Sequence, residues 1–139
     1  MNKTNIRMDK LLDVKGMIVE QIKRYGGTFT CHTLYGEKHD YDFTVNRKNG
    51  TRKNLKVYTS SSDTNTALST HLIEKSSIDY VVLCASEEEV IYVFDKRDVL
   101  NNGKTTRDGR IHFRSLLNNM DEFTILEARN NFKRVFLEF

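Results

Sequence analysis

At 139 residues the chain has room for one domain with a real core and not comfortably for two. Hydrophobic residues make up 38% and charged residues 29%, which excludes a disordered chain, and the longest apolar run, Tyr80 to Ala85, falls far short of the roughly 20 residues a bilayer span needs. A count of 22 basic against 19 acidic residues leaves +3, too small a lean to establish a polyanion partner, so where the charges lie matters more than their sum.

The first element reads as a helix. Met8, Leu11, Leu12, Ile18, Val19, Ile22 and Tyr25 recur at spacings of three and four, and Gly26-Gly27 supplies the stop. Strand-like segments follow at Thr28 to Leu34, His39 to Asn46 and Lys53 to Thr59. A helix is expected over Thr66 to Ser76, with Leu68, Leu72 and Ile73 on its apolar face. Two further strands run from Asp79 to Ala85 and from Val90 to Phe94. Both are near-continuous apolar runs, the pattern of strands covered on both faces, and so they are expected at or near the centre of the sheet. The order α-β-β-β-α-β-β predicts a mixed sheet flanked by helices, an α/β sandwich.

After the Asp108-Gly109 turn, Arg110 to Arg114 reads as a short strand. Phe123 to Ala128 and Phe132 to Phe139 are expected to form a terminal hairpin, because β-branched and aromatic residues dominate there. Phe132, Val135, Phe136 and Phe139 also fit a helical stripe. The start, Met1 to Lys10, is polar and has no leader-like pattern, and Cys31 and Cys84 in apolar segments give no disulfide framework. Both point to a reducing, cytoplasmic compartment without a membrane. His32, His39, His71 and His112 with the two cysteines lack zinc-ligand spacing, and no glycine-rich phosphate loop, nucleophile elbow or dinucleotide fingerprint occurs.

The second and third strands fix their own pairing. Tyr41, Phe43 and Val45 share one face, and Leu55 and Val57 share one face, so Phe43 must stand across from Leu55 and Tyr41 across from Val57. Lys48-Asn49-Gly50 is then a three-residue loop with Gly50 at its left-handed position. A two-residue Asn49-Gly50 turn would set Phe43 against Lys56 and mix the faces. The preferred register puts Asp42 opposite Lys56. Between Phe43 and Ser62 there is no acidic residue, whereas Arg47, Lys48, Arg52, Lys53 and Lys56 are basic. Such a tip suits phosphate contacts as well as it suits a solvated turn. A second basic stretch, Lys104, Arg107, Arg110 and Arg114, brackets Asp108, and as a strand it would align Arg110, His112 and Arg114.

Lys15-Gly16-x-x-x-Glu20 in the helix, Tyr41-Asp42-Phe43 in the second strand, Leu55-Lys56-Val57-Tyr58-Thr59-Ser60 in the third, then Ile78-Asp79-Tyr80 and Val90-Ile91-Tyr92-Val93, come in an order that resembles the PD-(D/E)XK nuclease superfamily. The likeness is in particular to its small homing-endonuclease and Holliday-junction-resolvase-like members, over about residues 5 to 100, with 101 to 139 as a C-terminal extension of one domain spanning 1 to 139. The resemblance implies a restriction-endonuclease-like core. It also implies metal-dependent phosphodiester cleavage as an endodeoxyribonuclease, DNA as the partner, Mg²⁺ as the cofactor, a homodimer as the assembly, and a mobile-element or phage setting. In that family a helix glutamate, a strand aspartate and an acid or glutamine two residues before a lysine form the site. Glu20 and Asp42 match the first two positions, so the resemblance makes them the metal ligands and, with Lys56, the catalytic residues. The basic hairpin tip and the second basic stretch make Arg47, Lys48, Arg52, Lys53, Arg110 and Arg114 the expected nucleic-acid contacts.

Two positions depart from the pattern. Lys56 stands at the acid position and Tyr58 at the lysine position. An ammonium repels a divalent cation, and a tyrosine brings no positive charge to the transition state. Lys56 itself could supply the missing lysine, and Asp40 or Asp63 a further carboxylate. The alternative is a catalytically inactive member that binds DNA or a protein. There the Asp42–Lys56 pair is a cross-strand ion pair contributing about 0.2–1 kcal/mol, and Glu20 is a solvated helix residue near Lys23 and Arg24.

Overall fold

The computed structural model describes residues 3–32, 41–60, 67–69, 73, 77–85, 90–103 and 105–137. Helix α1 (Lys3–Tyr25) carries Lys23 and Arg24 in its last turn, where cations complement the helix dipole. It ends as the glycine pair predicts, with Gly26 N–H donating to the Ile22 carbonyl at 2.8 Å and both glycines at positive φ. Gly27 carries a second constraint. At its φ of +97°, an added Cβ would lie 2.4 Å from the Asn46 carbonyl oxygen, whereas Gly50 at +92° has open space around it. Gly27→Ala should therefore cost at least about 2 kcal/mol, against about 1 kcal/mol for Gly50→Ala. Urea unfolding of the two variants measures the difference, and equal losses would remove the steric argument.

Strands β1 (Thr28–Cys31), β2 (Phe43–Asn46), β3 (Arg52–Ser60), β5 (Tyr80–Ala85) and β6 (Val90–Asp95) form one sheet in the order β1-β2-β3-β5-β6. The β3–β5 pair is parallel and the other three are antiparallel, so the sheet is mixed. Alternation sorts the side chains onto two faces. Phe43, Val45, Leu55, Val57, Val82 and Val93 pack with Leu11, Val14 and Ile18 of α1. Val81, Leu83, Tyr92 and Phe94 pack beneath a second layer built from β4 (Ala67–Ser69), helix α2 (Lys96–Asn102), β7 (Arg110–His112), helix α3 (Phe113–Asn119) and helix α4 (Glu122–Ala128). Strands β4 and β7 pair antiparallel with each other. Helix α5 (Lys133–Phe136) returns to the α1 side, where Val135 and Phe136 join its core. This is the α/β sandwich of a single domain that the element order predicts, and residues 105–137 contribute to both cores.

Four expectations need correction. Strand β6 is the last strand of the sheet, not a central one. Its apolar run is explained by coverage on both faces together with an edge closed by the chain itself: Asn130 N–H donates to the Ile91 carbonyl at 2.6 Å, and Ile91 N–H donates to Asn130 Oδ1 at 3.0 Å. The segment expected as a helix over Thr66 to Ser76 begins as strand β4; Ile73 is helical, and much of the remainder lies outside the described residues. Among the described residues the terminal hairpin is replaced by helices, over Glu122–Ala128 and Lys133–Phe136. Asp121 caps α4 by accepting from Thr124 N–H, a local signal that outweighs β propensity where burial, not pairing, decides. Finally β7 stops at His112, so Arg114 lies on α3 and does not share a strand face with Arg110.

Candidate functional site

The β2–β3 hairpin has the expected register from Phe43 opposite Leu55 to Val45 opposite Lys53, but Tyr41, expected across from Val57, lies outside the paired residues and packs with the second layer instead. Arg47 N–H donates to the Thr51 carbonyl, and Gly50 takes the left-handed position of the three-residue loop. At the far end, the chain bends at Tyr41–Asp42 and β2 parts from β3. Asp42 N–H still donates to the Leu55 carbonyl at 2.8 Å. The next donor on β3 toward β2, Val57 N–H, donates to Asp42 Oδ2 at 2.7 Å. Strand β3 continues to Ser60 paired with β5. A carboxylate thus closes the ladder at the point where the two strands separate, and Asp42 is 2% exposed there.

Lys56 Nζ approaches the same Oδ2 to 3.8 Å, with its side chain 19% exposed. The ammonium also lies 5.8 Å from the centre of the Tyr58 ring. Leu55 and Val57 point to α1, so Asn54, Lys56 and Tyr58 occupy the opposite face, and Tyr58 packs against the apolar second layer. Thr44 and Asn54 stand opposite each other beside this pair. Thr44 Oγ1 donates to Asn54 Oδ1 at 2.8 Å, Asn54 Nδ2 donates to the Ser77 carbonyl at 2.9 Å, and Asn54 N–H donates to Asp79 Oδ2 at 2.8 Å. His32 Nε2 lies 2.8 Å from Thr44 Oγ1.

The structure brings Asp42 and Lys56 together, and neither lines the recess in which Glu20 sits. Glu20 is exposed on α1, on the α1 side of the sheet, in a recess shared with Lys10, Asp13, Gly16, Met17 and Ile91. Asp40 and Asp63 lie outside the described residues. Among the described residues, no group of three or more His, Cys, Asp and Glu side chains could hold a metal ion.

The basic residues also divide. Lys48 and Arg52 are exposed at the hairpin loop, with Arg52 Nε donating to Asn46 Oδ1 at 3.1 Å. Lys53 is half-buried and shares a small recess with Asp79, Tyr80, Asp95, Lys96 and Arg97. Arg47, expected at the phosphate-gripping tip, is turned inward instead. It is 6% exposed, and its Nε donates to the Val135 carbonyl at 2.7 Å, which ties the hairpin to α5. The Tyr80 hydroxyl donates to the Arg134 carbonyl at 3.1 Å nearby; burial pushes its pKa up, with the Arg47 guanidinium acting in the other direction. Arg110, exposed on β7, faces Asp108 at 3.6 Å, and Arg114 is exposed on α3. Both belong to the second layer, on the same side of the sheet as Lys56.

Asn54, beside Lys56 on the same strand face, is not among the candidates that the sequence pattern singled out. Asn54-Leu55-Lys56 sets an amide oxygen two residues before a lysine on one strand face, a step earlier than the Lys56–Tyr58 alignment. Tyr58, two residues after Lys56, belongs to the apolar layer.

No family model matches the chain, and no curated protein matches it. Among solved structures, the bacterial homing endonuclease I-Ssp6803I is similar, with a TM-score of 0.57 and 16% sequence identity over 97% of this chain and 92% of that one. The likeness runs through nearly the whole of both chains and is one of fold: the mixed five-stranded sheet with flanking helices is an endonuclease-like architecture.

Proposed function

We propose that this chain is a nucleic-acid-processing protein of the PD-(D/E)XK nuclease type, which binds DNA and cleaves its phosphodiester backbone at Asp42, Asn54 and Lys56. The observation that carries the reading is the buried Asp42 carboxylate held against Lys56 where β2 leaves β3, within a fold similar to that of a homing endonuclease. Lys56 is held by Asp42 with its head only partly screened from solvent, so it can donate to a phosphate oxygen and offset the charge that builds there. Asp42 keeps that ammonium in place, and Asn54 adds an amide oxygen on the same face.

The family's cofactor is Mg²⁺, which is bound through one or two carboxylates while water and substrate phosphate supply the remaining ligands. One carboxylate and one amide oxygen fit that mode and do not fit an all-protein cage. Asp42 and Asn54 would hold the ion, which when bound lowers the pKa of the attacking water. Because Lys56 already faces Asp42 Oδ2, Mg²⁺ affinity in the absence of DNA should be weak. Titration calorimetry of the protein alone is expected to give little or no heat with Mg²⁺, and tight binding at one site would mean a donor set beyond these two residues.

The deciding experiment is a cleavage assay on linear and branched DNA with Mg²⁺ or Mn²⁺, run on the wild type, Lys56→Ala and Asp42→Asn. Cleavage by the wild type that both variants lose supports the nuclease reading. A second reading, a DNA-binding module without cleavage, is favoured by the single carboxylate that the described residues bring to Lys56. DNA binding by a wild type that cuts neither substrate would establish it in place of the first.

A further inference from the structure

The polar chain beside Lys56 leaves no freedom in its hydrogen-bond directions. The Ser77 carbonyl only accepts, so the Asn54 atom 2.9 Å from it is the amide nitrogen, and the other terminal atom is the oxygen. That oxygen needs a donor, and the Thr44 hydroxyl 2.8 Å away supplies its one hydrogen. With that hydrogen spent, Thr44 Oγ1 can only accept from His32 Nε2 at 2.8 Å. His32 must therefore carry a proton on Nε2, whether the ring is neutral or charged. The ring is steadied by Tyr41, packed edge-on with centroids 5.2 Å apart and planes at 79°. Thr44, 6% exposed, is buried between the two.

We infer that His32 is a positioning residue for the candidate site: by donating from Nε2 it turns the Thr44 hydroxyl toward Asn54 and thereby holds the Asn54 amide oxygen on the face it shares with Lys56. This rests on the proposed role of Asn54 beside Asp42 and Lys56. The chemistry is a direction, not a charge. A histidine protonated only on Nδ1 would present a lone pair to Thr44. The hydroxyl would then turn to it, and Asn54 Oδ1 would lose its donor. Asn54 N–H is held by Asp79 and its amide nitrogen by Ser77, so the Thr44 hydroxyl is the third contact that fixes the planar amide.

Three variants isolate the donor. His32→Gln offers an amide N–H, the near-isosteric His32→Glu offers only acceptors once ionised, and His32→Leu offers neither. On cleavage, His32→Glu and His32→Leu should lose about tenfold or more in kcat with a smaller change in KM, and His32→Gln should recover most of the loss, in the range typical of partners that orient a ligand. The readout independent of activity is NMR. Long-range ¹H–¹⁵N spectra should place the His32 proton on Nε2. The Asn54 side-chain amide protons should exchange slowly in the wild type and His32→Gln, and faster in His32→Glu and His32→Leu, with thermal melts verifying that each variant is folded. A wild type that cuts no DNA but gives these NMR results overturns the cleavage reading and leaves the positioning intact. A neutral His32 protonated on Nδ1, or Asn54 amide exchange indifferent to the Gln/Glu exchange at position 32, overturns the positioning itself.

Discussion

Asp42→Ala should unfold at a clearly lower urea concentration than Asp42→Asn, while both lose DNA cleavage. The two effects separate because Asp42 does two jobs through one oxygen. Its Oδ2 is the acceptor for Val57 N–H at 2.7 Å and the partner of Lys56 Nζ at 3.8 Å. Alanine removes the carboxylate oxygen to which Val57 N–H donates at a position only 2% exposed, and losing a buried acceptor of this kind costs about 1–3 kcal/mol. Asparagine returns an amide oxygen to that N–H and recovers most of the stability. Lys56 suffers little in either variant, because its partly exposed head can reach water. Neither variant carries the charge that holds the ammonium, so single-turnover cleavage should fall by about 10²-fold or more in both, the scale of losing one preorganised electrostatic group. Equal urea midpoints would mean that the ladder closure contributes nothing. Wild-type cleavage by Asp42→Asn would remove Asp42 from the centre of the reaction.

The hairpin holding this site was legible in the sequence because its information is local. Phe43, Val45, Leu55 and Val57 permit one register if apolar faces are to match, and Gly50 supplies the loop geometry that this register demands. The opposition of Asp42 and Lys56 follows from that register. The residues misread were those whose partners are distant. Arg47 sits in a basic run and reads as a phosphate contact, yet its acceptor, the Val135 carbonyl, lies 88 residues along the chain. The apolar run of β6 resembles that of a central strand because Asn130 and Arg129 close its open edge. The tail favours strand by side-chain type, but short helices α4 and α5 are made by the burial of Ala128, Val135 and Phe136 on two different cores. His32 was overlooked because its hydrogen bonds link β2, β3 and the residues flanking β1 and β5, which no single segment displays, whereas the Asn54-Leu55-Lys56 spacing was legible in one segment.

Replacing Lys48, Arg52 and Lys53 together by alanine should weaken DNA binding without lowering the melting temperature, and Arg47→Ala should do the reverse. Lys48 and Arg52 are exposed at the loop, and Lys53 lines an open recess beside Lys96 and Arg97. From Arg52 to Lys56 is four residues of strand, about 13 Å, so cations at the tip would hold the phosphate backbone near the candidate site without entering it. Contacts of this kind act by releasing counterions, and the log–log slope of affinity against salt should fall by about 0.9 for each phosphate contact removed. At physiological salt the triple variant should bind at least about tenfold more weakly to any sequence. Arg47 differs because its guanidinium is internal. Truncation strips the Val135 carbonyl of its donor and leaves space between the hairpin and α5, for a loss of about 2–3 kcal/mol, or roughly 6–12 °C in melting temperature. Arg47→Met, which keeps the packed stem and loses only the polar head, should fall between the two. Salt-dependent binding isotherms and thermal melts on all three variants test the division. A triple variant with wild-type affinity and slope would remove the tip from the DNA interface. An Arg47→Ala protein that melts like the wild type yet binds more weakly would return Arg47 to that interface.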